Sequence, residues 1–143
     1  MNMYDEASKM MILRFGKDNV FSLVTMNGSR FAVRIVNAYY EDGSFFIVTN
    51  ALSNKMKQIS VIPEIALCAD WFLANGVGEN IGQVLDEQNA ILMAKLRDAF
   101  FQWYGDVNEN DPNTSILRIR LTDATVFYKS NGYKVDFVNK TAE

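Results

Sequence analysis

Apolar and polar positions alternate with period two over several short stretches of the chain, and follow the longer helical period in only a few. Val20 to Met26, Phe31 to Tyr40 and Phe45 to Thr49 are rich in β-branched and aromatic residues, which predicts three strands. Asn27-Gly28 separates the first two, a hairpin signal because both residue types accept positive φ. Glu41-Asp42-Gly43-Ser44 separates the second from the third, so the three read as a meander. Ile65 to Phe72 reads as a fourth strand, opened by Pro63. The following stretch holds Gly76, Gly78 and Gly82 and reads as a bulged or turning β-segment, with Ile81 to Leu85 as a strand. Ile116 to Leu121 sets Arg118 and Arg120 against Leu117, Ile119 and Leu121, the pattern of a half-buried strand. Thr125 to Tyr128 and Tyr133 to Val138 are expected to form a last hairpin around Asn131-Gly132, and Lys140 to Glu143 a frayed tail.

Helical spacing predicts a short helix over Tyr4 to Phe15, stopped by Gly16, and one or two turns over Asn54 to Ser60. Asp86 is a suitable N-cap for a long helix from Glu87 to Tyr104, where Leu92, Leu96, Ala99, Phe100 and Trp103 share a face and Gly105 is the stop. The sum is a predominantly β single domain over residues 1–143. It has six to eight mainly antiparallel strands, one long helix and one or two short ones. A closed or split barrel solves the exposed-edge problem of such a set.

Composition narrows the function. The chain has 143 residues, 49% hydrophobic and 22% charged, with a formal net charge of -3, as in a globular protein without a general nucleic-acid surface. No apolar run is long enough to cross a bilayer, and Asp5 and Glu6 stand where an export signal would be basic, which predicts a cytoplasmic protein. Cys68 is the only cysteine and there is no histidine. Cysteine-cluster and histidine metal sites, Ser-His and Cys-His nucleophiles and histidine bases are all excluded. Chemistry has to come from a bound cofactor, or from carboxylates, Lys and Tyr.

The stretch from Phe45 to Ile59 changes abruptly from an apolar strand to Thr49, Asn50, Ser53, Asn54, Lys55, Lys57 and Gln58. Hydroxyls, amides and a fixed cation at a strand end suit a phosphate or another anion. A strand followed by a solvated turn and one helical turn accounts for the same residues. Arg34 has two readings also: a solvent-facing residue of a pleated strand, or a second cation aimed at the ligand of Lys55. A meander sets strand 31–40 beside strand 45–49, so Arg34 and Thr49 can meet there with Lys55 in a phosphate clamp. The glycines run GxGxxxG, which misses the dinucleotide fingerprint by one residue and lacks its βαβ context.

Three segments in order carry a family likeness: Val33-Arg34-Ile35-Val36, Thr49 through Ile59, and Pro63-Glu64-Ile65-Ala66-Leu67, with Ile62 where the family pattern has Asn. Together they make Val20 to Val138 resemble the pyridoxamine-phosphate oxidase-like family of FMN-binding split β-barrels, and within it the short, general-stress-type members. The resemblance implies that Arg34 and Lys55 contact the FMN phosphate. It implies that Thr49 donates from its hydroxyl or main chain, and that Ser53 and Asn54 complete the phosphate end. Val36 and Asn37 would run beside the flavin ring and Gln58 would support the site. It further implies a homodimer with flavin at the interface and a flavin-dependent oxidoreductase acting on an unidentified small-molecule substrate or electron donor. A non-catalytic flavin- or haem-binding stress or sensor protein is the alternative. The oxidases that make pyridoxal phosphate end in a segment with Trp, Arg and His. This chain has no His, which speaks against that activity.

Overall fold

Strand β1 (Asn19–Asn27) pairs antiparallel along its length with β2 (Arg30–Glu41). Asn27 pairs with Arg30, so the turn residues are Gly28 and Ser29, one place later than the sequence suggests. The positive φ of 63° falls on Gly28. Asp42-Gly43 then turns the chain into β3 (Ser44–Asn50), with φ of 48° and 82°, the left-handed pair of a type I′ turn. The structure, a computed structural model, describes residues 2–143.

The remaining strands are β4 (Glu64–Ala69), β5 (Phe72–Gln83), β6 (Thr114–Tyr128), β7 (Asn131–Asp136) and β8 (Thr141–Ala142). The sheet order is β3-β2-β1-β4-β5-β6-β7-β8, and β6 pairs back to β3. Six antiparallel strands thus close a barrel, and β7 and β8 extend from the second half of β6. One seam is short. β2 and β3 pair only where Tyr39, Tyr40 and Glu41 meet Phe46, Phe45 and Ser44. Beyond that point they part, and β3 runs to its end against β6.

Helix α1 (Met3–Phe15) is capped by the Asn2 side chain, which accepts from the Asp5 N–H at 2.9 Å. Ala7, Met11 and Phe15, at steps of four, are buried together on one face. Phe15 packs against Phe21, Phe45 and Phe72 with ring centroids 5.3, 5.7 and 4.6 Å apart, so α1 plugs the barrel where β1 begins. Helix α2 (Asn54–Val61) sends Met56 and Ile59 into the same core. Helix α3 (Ala90–Ala99) builds a second, smaller core outside the barrel from Met93, Leu96 and Phe100 against Phe46, Val84 and Ile116. None of the described helices is long and apolar enough to cross a membrane.

Several local expectations are corrected. The fourth strand stops at Ala69, and Asp70-Trp71 turn the chain, with Trp71 at φ 52° and 80% exposed. The turn holds because Arg14 of α1 donates to the carbonyls of Asp70, Trp71 and Phe127. The glycine stretch is β5 itself, with irregular register at Asn75/Gly76 and Asn80/Gln83 as the bulge reading expects, but no strand runs from Ile81 to Leu85, since β5 ends at Gln83 and Val84-Leu85 turn. A Cβ on Gly76 would lie 2.6 Å from the Arg120 carbonyl oxygen, so close strand approach fixes that glycine. The long helix over 87–104 breaks into a 3-10 turn at Glu87–Asn89, α3, and a second 3-10 turn at Tyr104–Asp106. Trp103 and Tyr104 leave helical register to reach Asp18 and Glu109. Asp86 caps nothing with its side chain, which accepts instead from the Gln83 N–H. The two C-terminal strand segments before residue 128 are one strand, β6, continuous through pairing with β5 and β7. Its hairpin turns at Lys129-Ser130, not Asn131-Gly132, because Tyr128 pairs with Asn131. The tail is not frayed: β8 pairs with β7, and Glu143 and Lys134 exchange both backbone bonds.

Candidate functional site

Burial alternates along β2. Phe31, Val33 and Ile35 point outward, while Val36, Ala38 and Tyr40 point into the core. Arg34 falls on the inward set, so it is not a solvent-face residue. Its Nη1 donates to the Thr25 hydroxyl at 2.6 Å and to the Ala32 carbonyl at 3.3 Å, and its Nη2 donates to Gln58 Oε1 at 2.9 Å. Thr25, fully buried on β1, donates its own proton to the same Gln58 oxygen at 2.5 Å. A strand hydroxyl, a strand guanidinium and a helix amide thus form a closed triangle that ties α2 to the barrel.

Lys55 lies three residues before Gln58 on α2. It is half-buried and has no hydrogen bond or ion pair among the described residues. Burial lowers its pKa below the usual lysine range, and the positive charge of Arg34 lowers it further. Burial lowers the Arg34 pKa too. The ion pairs of the described residues join Lys95 to Glu41, Arg97 to Glu109 and Arg118 to Glu79, all elsewhere. Two partly desolvated cations therefore repel each other with no acid between them, which is the electrostatic signature of a place for an anion.

The N-terminus of α2 adds donors. Ser53 occupies the N-cap in extended geometry, and its carbonyl accepts from the Lys57 N–H at 3.1 Å. Its hydroxyl makes no capping bond and is buried without a partner among the described residues. An unpartnered buried hydroxyl costs about 1–3 kcal/mol. The first N–H groups of α2 also lack that cap, and they carry the positive end of the helix dipole. The approach is fixed by the Ala51 N–H on the Asn113 carbonyl at 2.7 Å and the Leu52 N–H on Asn50 Oδ1 at 2.8 Å.

The structure brings Arg34, Lys55 and Gln58 together, with Ser53 at the head of the same helix. Asn54 lines a cleft of about 340 Å³ with Gln58, Lys57 and Gly28. Thr49 pairs with Ser115 of β6 and Arg34 with Leu23 of β1, and the pairing of β2 with β3 ends at Tyr39 and Phe46, short of both residues. That parting leaves the β3-facing backbone edge of residues 30–38 unpaired. Val36 is 6% exposed and its side chain belongs to the core, so only its main chain faces outward. Asn37 donates to Asp18 at 3.0 Å, and Asp18 also accepts from the Trp103 indole at 2.9 Å. Sequence reasoning missed Thr25. The signal was available: with Phe21 and Leu23 inward on β1, period two puts the Thr25 hydroxyl inside as well.

The fold and site define a split β-barrel with two cations lacking an acidic partner beside a short helix. Solved structures share that fold. General stress protein 26 from Bacillus anthracis str. Sterne superposes over 91% of this chain and 99% of its own, with a TM-score of 0.67 and 13% identity. A protein from Clostridium acetobutylicum, related to general stress protein 26 of B. subtilis and described as of the pyridoxinephosphate oxidase family, covers 96% of each chain with a TM-score of 0.58 and 15% identity. A FAD-binding protein from Mesorhizobium loti covers 83% of this chain and 89% of its own, with a TM-score of 0.59 and 13% identity. No protein-family model and no curated protein matches the sequence. The chain thus has the split-barrel fold of the pyridoxamine 5'-phosphate oxidase-like proteins, at identities that speak for the fold.

Proposed function

We propose that this chain binds FMN and works as a homodimeric, flavin-dependent oxidoreductase on a small-molecule substrate. The observation that carries the reading is the pair Arg34 and Lys55: two half-buried cations with no carboxylate partner. A phosphate supplies the missing charge. The partnerless Ser53 hydroxyl and the uncapped N–H groups of α2 fit the same group, since a phosphate oxygen would accept from them. Thr25 and Gln58 hold the Arg34 fork in one orientation, which limits the entropy lost on binding. Thr49, near the end of β3, and Asn54, at the start of α2, would add further donors. The unpaired β2 edge at Val36 and Asn37 offers main-chain donors and acceptors to a planar ring. When bound, FMN supplies the hydride or electron chemistry, which suits a protein without histidine. One phosphate clamp without a dinucleotide fingerprint favours FMN over FAD.

The homodimer rests on the outer barrel face. Phe31, Val33 and Ile35 are 77%, 64% and 67% exposed, and strand register sets them beside Met26, Val24 and Ser22 of β1. Cys68 and Leu73 continue the face across β4 and β5. A self-complementary apolar sheet face suits an isologous contact between two copies.

The test is a titration of the purified chain with FMN, read by flavin absorbance and fluorescence. Saturable binding with a perturbed spectrum, lost in Lys55→Ala, is expected. An unperturbed flavin spectrum at high FMN would sink the reading. Turnover of NADH or NADPH with an electron acceptor then separates the oxidoreductase from a non-catalytic carrier or sensor.

A further inference from the structure

A cationic cleft lies away from the Arg34–Lys55 site. It has a volume of about 350 Å³ and is bounded by α1, the β2–β3 turn, β6 and the segment before β8. Thr49 and Ser44 stand at opposite ends of β3, and Arg34 and Tyr40 are six residues apart on β2, roughly 20 Å of strand. The two places are therefore separate.

Arg118 and Arg120 occupy successive outward positions of β6, roughly 7 Å apart along the strand. The Arg118 Nε donates to the buried Ser44 hydroxyl at 3.1 Å, which holds that guanidinium at the wall. Its Nη1 is also 3.6 Å from Glu79, an exposed residue that is not among the cleft's walls. Arg120 has no hydrogen bond or ion pair from its side chain among the described residues, and neither does Lys140. The backbone at Lys140 is held, because the β7–β8 pairing begins at the next residue. Among the described residues Asp42 is the one carboxylate lining the cleft, and with Arg118 also paired to Glu79, Arg120 and Lys140 are the two cations without a partner. Tyr4 and Phe137 also line the cleft. They meet edge to face with centroids 6.2 Å apart and planes at 77°.

We propose that this cleft binds a small organic phosphate, with the phosphate between Arg118, Arg120 and Lys140 and an apolar or aromatic body against Tyr4 and Phe137. Charge selects the class. The lining carries an excess of two positive charges, and a phosphate monoester carries about -1.5 to -2 at neutral pH. Two guanidiniums and an ammonium match its three oxygens, whereas one carboxylate leaves a cation unpaired. The volume sits at the small end of ligand pockets, which fits a single-ring body.

The experiment follows backbone amide shifts while phenyl phosphate is added, with benzoate as the singly charged arm. Saturable shifts are expected at Gly43, Ser44, Arg120 and Lys140, with phenyl phosphate tighter than benzoate. Arg120→Ala and Lys140→Ala, both at exposed side chains, should each weaken binding about tenfold or more. Lys55→Ala should leave it unchanged, because that lysine belongs to the other site. Three results would overturn the proposal: no saturable shift at millimolar probe, equal affinity for benzoate, or binding that vanishes in Lys55→Ala and survives in Arg120→Ala.

Discussion

The Arg34 guanidinium reaches the Thr25 hydroxyl at 2.6 Å, across neighbouring strands and out of direct register. Arg34 pairs with Leu23 and Thr25 with Ala32, so the side chains lean toward each other along the barrel interior. A cation in that position is oriented before any ligand arrives.

Thr25→Val removes the hydroxyl and keeps the shape. Arg34 then loses one fixed acceptor and Gln58 loses one donor. The chain should lose about 1–3 kcal/mol of stability in urea unfolding. FMN should bind about tenfold more weakly, as expected for the loss of roughly 1.4 kcal/mol. Thr25→Ser should restore most of the affinity. Unchanged flavin affinity in Thr25→Val would show that Arg34 does not need its partner.

Lys55 links binding to pH. Its pKa in the folded chain lies below that of an unfolded lysine, through burial first and Arg34 second. The folded chain therefore sheds this proton at lower pH than the unfolded chain. Between the two pKa values the unfolded state binds more protons, so stability rises with pH through that alkaline window. Lys55→Met should abolish the rise and raise ligand-free stability at neutral pH, while weakening FMN binding. Urea unfolding of both proteins over an alkaline pH series checks the slope. A variant less stable than the parent at neutral pH would contradict the assignment.

Ser53→Ala separates a cap from a ligand donor. An N-cap serine normally contributes about 1 kcal/mol. Here the hydroxyl caps nothing and is buried without a partner, so its removal should leave the melting temperature unchanged or slightly higher. FMN affinity should fall. A marked drop in melting temperature with normal flavin binding would place the hydroxyl in the fold instead.

Ile35→Glu puts a charge into the outward apolar row of β2, at its end. Ile35 lies opposite Ser22, on the face away from the core. Sedimentation velocity should show a dimer become a monomer, with secondary structure kept. A parent chain that sediments as a monomer at all concentrations would remove the homodimer from the proposed function.

Much of this was legible in period-two patterning and turn chemistry. The strands β1 to β3, the Asp42-Gly43 turn and the bulged glycine strand follow from residue types that admit few alternatives. What escaped depended on partners distant in sequence. Trp71 holds a turn because Arg14 donates to its carbonyl and to those of Asp70 and Phe127, and no local signal at Trp71 announces that. The segment from Phe100 to Tyr104 keeps a helical stripe of apolar residues, yet Trp103 and Tyr104 are drawn to Asp18 and Glu109. At the site, Arg34, Lys55 and Gln58 were readable as a group. The meander alone could not reveal that β2 and β3 stop pairing after Tyr39 and Phe46 while β3 runs on against β6.

Strand β6 has a further consequence, for how the chain reaches this shape. It pairs with β3, β5 and β7, and the barrel stays open until it arrives. As the chain is synthesised, β1 to β5 emerge first, and β3 and β5 wait with bare edges. Non-local pairing of this kind slows folding, and unpaired edges invite association with other chains. Closure is thus a late event with a brief hazard, and a chain cut before Thr114 should aggregate rather than persist as a smaller barrel.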